Sequence, residues 1–161
     1  YSMSEEDLEL EEFNKLGEQA SQGCVRLAVS DAKWVYDNCP TGTNVSIYDD
    51  AENAGPLGKP DAIKITDFTN KWDPTDSNKK CPYAKAKPTI SGANDYTIKS
   101  GGEFYALAGV TAVDTCGNDI TSNIEVFGNV VTTRKGKYKV TYSVTDVLKR
   151  TSSVTITVTV Q

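Results

Sequence analysis

The chain contains 161 residues, carries a formal net charge of −5 and is 38% hydrophobic, which is typical of a globular chain of one or two domains. It has no run of the roughly 18 apolar residues that a membrane-spanning helix needs. Residues 1–50 carry 3 Lys/Arg against 11 Asp/Glu, whereas residues 85–161 carry 9 against 6, so no clustered basic face is offered to a nucleic acid. We therefore expect neither a membrane span nor a nucleic-acid partner.

Two helices are predicted near the start of the chain. Ser4 precedes an acidic first turn and predicts a helix over residues 1–14, which Gly17 ends. Ser30 predicts the cap of a second, short helix, which stops at Cys39 because a proline follows it.

Two short strands and a linker are predicted after these helices. Residues 44–48 and 63–65 alternate between apolar and polar side chains, and an acidic, Gly/Pro-rich loop over residues 49–60 separates them. Residues 66–86 have few apolar side chains and no sustained period, which predicts a linker. The chain thus divides into a mixed α/β segment over residues 1–65, a linker, and a domain over residues 87–161.

The four cysteines have spacings that match no zinc site, and the chain has no histidine to complete one. Four cysteines allow three disulfide pairings, which the sequence does not separate. If one bridge forms, Cys81 with Cys116 is the preferred pair because both flank the second domain. We expect no metal and no cofactor.

The last domain has the pattern of a β-sandwich. Apolar and polar residues alternate over 138–144 and again over 154–160, so each strand has one buried and one solvated face. The two strands are expected to pair through a turn over residues 146–150. Further strands are predicted at residues 96–99, 103–113 and 124–131, and about seven strands in this length is typical of a sandwich. The fold class is therefore mainly β.

Three segments of this domain carry a resemblance to a known family: Phe104–Ala112, Gly117–Thr121 and Gly136–Asp146. They resemble the immunoglobulin-like repeats of bacterial surface and cell-wall proteins. The resemblance implies a stalk, an adhesive module or an appendage that positions a substrate, on a protein located outside the cell, in the wall or at the surface of a bacterium. Asp114, Asn118 and Asp119 raise calcium as an alternative, but Asp and Asn are ordinary turn residues and the turn interpretation is preferred.

One cysteine near the start of the chain is a candidate nucleophile. Cys24 follows Gly23 and precedes Arg26 by two residues. A thiolate nucleophile needs a nearby cation or amide dipoles to lower its pKa, and glycine lets a substrate approach the backbone closely. Most cysteines are inert and buried, so this spacing alone is weak evidence for catalysis.

The surrounding residues strengthen the case: Leu16–Leu27, Asp31–Pro40 and Pro56–Pro60. Together they resemble the carboxy-terminal part of a YkuD-like L,D-transpeptidase catalytic domain, over about residues 1–65. The resemblance implies a cysteine acyltransferase that acts on peptidoglycan stem peptides and needs no cofactor. It implies that Cys24 is the nucleophile, that the backbone around Gly23 and Cys24 helps to hold the oxyanion, that Arg26 helps to fix the site, and that Ser21 and Gln22 contact the substrate.

The sequence departs from that family in two ways. Gln22 stands where the family motif has histidine, and the general-base histidine is expected just before Tyr1, whereas this chain has none. We expect this chain to be inactive by itself, because an isolated nucleophile loses most of the rate enhancement of such a site. The alternative is a non-catalytic cell-surface binding or spacer protein. The oligomeric state is left open.

Overall fold

A computed structural model describes residues 8–48, 50, 52, 55, 58 and 60–161. The chain divides into two compact units, Tyr1–Ala84 and Lys85–Gln161. Within the described residues, no helix is long and apolar enough to cross a membrane.

Among its described residues, the first unit contains two helices, α1 over Leu10–Phe13 and α2 over Val29–Asn38. Helix α1 is shorter than the helix predicted over residues 1–14, and the predicted cap Ser4 lies outside the described residues. Phe13 is buried, whereas α2 buries none of its side chains. A 3-10 turn over Pro82–Lys85 follows near the end of the unit.

Residues 44–48 and 63–65 are extended but form no strand, so the two strands predicted there are wrong. The reason for the second is visible at Ile65, which is fully buried. The side-chain amide of Asn14 donates to the Ile65 carbonyl at 2.8 Å, and the Ile65 amide donates to Asn14 Oδ1 at 2.7 Å. A side chain thus takes the place of the strand that would satisfy this backbone.

The start of α2 is capped from a distant part of the chain. Its N-cap residue is Ala28 rather than the predicted Ser30, and Ala28 has no side-chain oxygen to offer. The Val29 amide instead donates to Asp73 Oδ2 at 2.8 Å, and the Ser30 amide donates to Thr75 Oγ1 at 3.1 Å. Asp73 is buried although it lies within residues 66–86, for which a linker is predicted.

The second unit contains six strands: β1 Thr89–Ser91, β2 Tyr96–Ile98, β3 Thr111–Val113, β4 Glu125–Phe127, β5 Gly136–Thr145 and β6 Thr151–Val160. Strands β1 and β3 pair in antiparallel fashion as a two-stranded sheet. The other four form a sheet of order β2-β6-β5-β4, in which β2 runs parallel to β6 and the other pairs are antiparallel. The prediction of a mainly β chain is confirmed.

The core of this unit follows from the alternation along β5 and β6. These strands pair over their full lengths through the predicted turn and bury the residues Val140, Tyr142, Val144, Ile156, Val158 and Val160. Ala112 of the smaller sheet packs in the same core. Each fully buried valine or isoleucine contributes roughly 1.5–3 kcal/mol relative to an exposed one. Residues 103–110 of the predicted strand over residues 103–113 are instead loop and turn, and only its last three residues pair.

The loop after β3 explains the acidic cluster that suggested calcium. Asp114 Oδ1 accepts hydrogen bonds from the amides of Cys116 and Asn118, both at 2.8 Å, and Asp114 Oδ2 accepts one from the Asn118 side chain. The carboxylate is therefore used to close the turn. Cys81 and Cys116, the pair preferred for a disulfide, are both buried, and their pairing stays a prediction.

Candidate functional site

The candidate nucleophile lies at the end of a small loop that follows α1. The Ser21 hydroxyl donates to the Cys24 carbonyl at 2.5 Å, and the Gly23 amide donates to Ser21 Oγ at 3.3 Å. Gly23 has φ +156, and a Cβ placed there would meet no atom within 4 Å. The Ser21 hydroxyl thus stabilises the loop through hydrogen bonds to two of its backbone groups. The Cys24 residue is exposed to solvent.

Cys24 lines a cleft of about 300 Å³ together with α1 and the turn after it. Of the residues predicted for the site, Ser21, Cys24 and Arg26 line this cleft. Gln22 and Gly23 are exposed but do not line it. The structure therefore brings three of the five predicted residues together around one opening.

Charged residues that the sequence analysis did not single out, Glu12 and Lys15, also line this cleft. Lys15 Nζ lies 2.6 Å from Glu12 Oε1. The hydrogen bond and charge of Lys15 lower the pKa of Glu12, to which Arg26 adds a smaller attraction, and the same pair raises the pKa of Lys15. Both side chains are exposed, so the pair adds little to stability. In the sequence, this ion pair is indicated only by the separation of three residues between Glu12 and Lys15, a separation that brings side chains together on a helix.

The chemistry available at Cys24 is that of an accessible thiol with one backbone donor beside it. Within the part of the chain that the structure describes, the Cys24 sulfur makes no hydrogen bond, and the Cys24 amide has no acceptor. The chain contains no histidine. An unengaged amide next to a nucleophile can stabilise an oxyanion, but nothing described here contacts the thiol as a base.

Among the described residues, no group of three or more Asp, Glu, Cys or His is arranged to hold a metal ion. The cleft beside Cys24 carries two basic side chains, Lys15 and Arg26, and two acidic ones, Glu12 and Glu18. This balance suits a zwitterionic or mixed-charge substrate rather than a strongly charged polymer.

Two family models match the chain. Residues 4–47 match the L,D-transpeptidase catalytic domain, and residues 88–160 match the Ig-like domain of bacterial surface proteins. The first match contains Cys24 and its loop, and the second contains all six strands of the second unit.

Individual relatives match the chain over short stretches. The chain is 58% identical over 36 residues to YciB of Bacillus subtilis, named as an L,D-transpeptidase, which covers 22% of this chain and 19% of that protein. It is 42% identical over 66 residues to the pesticidal crystal protein Cry22Aa of Bacillus thuringiensis, which covers 38% of this chain and 9% of that protein. The chain therefore spans less than a fifth of either relative.

A solved structure containing the CBM51-2 and INT domains of Clostridium perfringens ZmpB is 31% identical, covers 46% of this chain and 16% of that chain, and has a TM-score of 0.42. The chain thus carries a match to part of an L,D-transpeptidase catalytic domain, followed by a match to a bacterial surface Ig-like domain, which confirms both resemblances predicted from the sequence.

Proposed function

We propose that Cys24 is the nucleophile of a peptidoglycan L,D-transpeptidase site to which this chain contributes. The observation that carries the proposal is the exposed thiol at the edge of a cleft, inside the segment that matches the transpeptidase catalytic domain. The Cys24 thiolate attacks a carbonyl carbon of one stem peptide, and the amine of the broken bond leaves with a proton. The resulting thioester passes its acyl group to an amine of a second stem peptide, which restores the thiol.

The neighbours of Cys24 have separate roles in this proposal. The Cys24 amide donates to the oxyanion, because the Gly23 amide already donates to Ser21. Arg26 lines the cleft and holds a carboxylate of the stem peptide in place. Ser21 keeps the loop in shape and, with Gln22, contacts the substrate at the rim.

This chain is proposed to be inactive by itself. Proton transfer to and from the thiol and the leaving amine needs a base, and a chain without histidine lacks the side chain that most often serves. The base is proposed to come from the part of the catalytic domain that residues 4–47 do not match. Removal of one member of such a constellation typically costs several orders of magnitude in rate.

The exposed apolar side chains of the first unit support the proposal that another part of a catalytic domain supplies the base. Val25, Tyr36 and Ile47 are each more than four-fifths exposed, and Trp34 and Val45 are also exposed. Soluble proteins expose single apolar side chains often, but several large ones in one small unit indicate a surface that is covered by another polypeptide. The remaining part of a transpeptidase catalytic domain is proposed to cover them and to bring the base to Cys24.

The second unit is proposed to hold this site at the bacterial cell wall or surface. It matches a bacterial surface Ig-like domain. The proposed role of the second unit is that of a spacer or a binding module. The proposed substrates of the site in the first unit are peptidoglycan stem peptides.

The test joins the amino-terminal part of the YciB catalytic domain to this chain and treats the product with a carbapenem, which acylates nucleophilic thiols. Intact mass and peptide mapping are expected to show one adduct, at Cys24. Cys24→Ala is expected to abolish it, whereas Cys39→Ala, which removes the other cysteine that is not buried, is expected to retain it. An adduct that persists in Cys24→Ala would refute the assignment.

The alternative is a non-catalytic surface protein that binds or spaces through its Ig-like domain. The missing histidine favours it. Under this alternative, the joined protein forms no adduct at Cys24 even though the thiol reacts with iodoacetamide.

A further inference from the structure

The second unit has a cleft of its own, whose lining residues all belong to that unit. The cleft measures about 310 Å³, at the low end of the range for small-molecule sites. Its walls come from the loop between β1 and β2, from β2, and from the turns over residues 103–108. Its floor is formed by the core side chains Val110, Tyr142 and Ile156.

The loops around the cleft are fixed by specific contacts. The Tyr142 hydroxyl donates to the Ala106 carbonyl at 2.7 Å, which ties the turns to the core. The Thr157 amide of β6 donates to Asp95 Oδ1 at 2.7 Å, which ties the β1–β2 loop to the sheet. A Cβ on Gly92 would lie 2.0 Å from the Gly109 carbonyl oxygen, so the two loops touch through their backbones. A binding site with walls held in this way loses little entropy when a ligand binds.

Aromatic rings stand exposed along one side of the cleft. Tyr96 is 54% exposed and Tyr105 is 68% exposed. The Tyr96 ring lies 5.9 Å from that of Phe104, with 50° between their planes, so neighbouring rings present differently oriented surfaces. Large aromatic side chains left in solvent around a concave surface are costly unless they meet a ligand.

Hydrogen-bond acceptors stand beside these rings. Glu103 Oε2 accepts a hydrogen bond from the Tyr105 hydroxyl at 2.6 Å, and within the described part of the chain its Oε1 accepts none. The Asn94 side chain donates to the Gly92 carbonyl at 3.3 Å, which leaves Asn94 Oδ1 to accept. Of the described residues, no lysine or arginine lines this cleft. Its chemistry is therefore aromatic faces plus acceptors, with negative charge.

We propose that this cleft binds a neutral sugar chain, with one pyranose ring packed on Tyr96 and sugar hydroxyl groups donating hydrogen bonds to Glu103 and Asn94. The C–H groups on a pyranose face are slightly positive and pack well on the negative face of an aromatic ring. Hydroxyl groups are the donors that a carboxylate and an amide oxygen accept. Anionic polymers are disfavoured because the cleft holds a carboxylate and no cation.

A proline-rich peptide also packs on aromatic grooves, but it presents carbonyl acceptors and few donors. Two acceptors in the cleft, Glu103 and Asn94, would then face further acceptors. The polar groups of the cleft thus favour a sugar over such a peptide.

The test titrates the full chain, labelled with 15N, with cellotetraose, chitotetraose, tetragalacturonate and a proline-rich peptide, and follows amide shifts by NMR. At least one of the two neutral sugars is expected to cause saturable shifts at residues 94–96 and 103–106. Tyr96→Ala is expected to weaken that binding about three- to tenfold, from the worth of one aromatic contact. Glu103→Gln keeps the shape of the side chain and is expected to weaken it also, by removing the charged acceptor.

The matched control is Phe127→Ala, which removes an aromatic ring that is 55% exposed and lies outside the cleft, on β4. It is expected to leave the sugar affinity unchanged. The proposal is overturned if neither neutral sugar causes saturable shifts at millimolar concentration, or if the shifts map outside the cleft. Equal losses in Tyr96→Ala and Phe127→Ala, or tighter binding of tetragalacturonate or the peptide at the cleft, would overturn it as well.

Discussion

Cys24 and Cys116 show how strongly the surroundings of a thiol decide its chemistry. Cys24 is exposed, whereas Cys116 is 1% exposed in the turn after β3. Burial raises the pKa of Cys116 to about 11, and the nearby Asp114 carboxylate adds to the shift. Since the thiolate is the reactive form, Cys116 is inert at neutral pH. Of these two thiols, Cys24 is therefore the one that solvent-borne reagents reach.

The raised pKa of Cys116 predicts a loss of stability in alkali. The unfolded thiol ionises near pH 9 and the folded one near pH 11, so the unfolded state loses its proton first and unfolding becomes easier as pH rises between these values. We expect the free energy of unfolding of the second unit to fall by about 2 kcal/mol between about pH 8 and pH 10.5 from this group.

The measurement is denaturant unfolding at both pH values, followed by the NMR signals of β5 and β6. Cys116→Ala removes the titrating group and serves as the comparison, because other groups such as Tyr142 titrate in both proteins. An equal fall in the variant would contradict the prediction.

Gly92 is a second residue whose neighbours restrict which side chain can occupy the position. It has φ +79, and an added Cβ would meet the Gly109 carbonyl oxygen at 2.0 Å. Gly92→Ala is expected to destabilise the second unit by at least about 2 kcal/mol, because backbone strain and a backbone clash add. Gly101→Ala is the matched control: Gly101 has φ +83 with open space around it, so only the strain of about 1 kcal/mol remains. The measurement is thermal unfolding of both variants. Equal losses of stability would contradict the prediction, because they would show that the backbone shifts to remove the clash at little cost.

At the scale of elements, helix α2 depends on residues far away in the chain. It is short and buries no side chain, and its first two amides donate hydrogen bonds to the side chains of Asp73 and Thr75. A two- to three-turn helix is marginal in water without tertiary support. The cap is therefore a main determinant of whether α2 forms.

Asp73→Ala is expected to cost about 1–3 kcal/mol in the first unit, since it removes a charged acceptor from two amides and one hydroxyl. Amide hydrogen exchange at Val29 reports the loss directly. Asp76→Ala is the comparison, because that carboxylate accepts only a local hydrogen bond from Asn78 on the surface. Unchanged exchange at Val29 in Asp73→Ala would show that α2 is held by other contacts.

Elements were predictable from the sequence where their own side chains determine them. Strands β5 and β6 alternate over ten residues each, and their pairing through a five-residue turn follows from that pattern alone. The three-residue strands β1 and β3 carry no such pattern and pair only because the core places them together. The cap of α2 by Asp73 lies 44 residues away and leaves no local signal.

The candidate site was predictable in part. Cys24, Ser21 and Arg26 are close in the sequence and lie around one cleft, so a motif was enough to find them. Glu12 in α1 and Lys15 in the turn after it also line this cleft. In the sequence, only their separation of three residues, which is common for ion pairs, indicated that they interact. Tyr96 and Glu103 come to line one cleft with Tyr142 and Ile156 only after the strands have paired.

At the scale of the whole molecule, the two units differ in how complete they are. The second unit buries a continuous apolar core between its sheets. The first exposes several of its largest apolar side chains, and its exposed Cys24 makes no side-chain hydrogen bond among the described residues. An Ig-like unit with its own core thus follows a unit whose apolar surface is left largely uncovered.

The measurement that tests this account most directly is the rate of carbapenem acylation at Cys24 in two proteins, this chain by itself and this chain joined to the amino-terminal part of the YciB catalytic domain. We expect acylation in the joined protein to be faster by at least about two orders of magnitude, the usual contribution of a positioned base. Equal rates in the two proteins, with Cys24 shown to be accessible to iodoacetamide in both, would contradict the transpeptidase assignment.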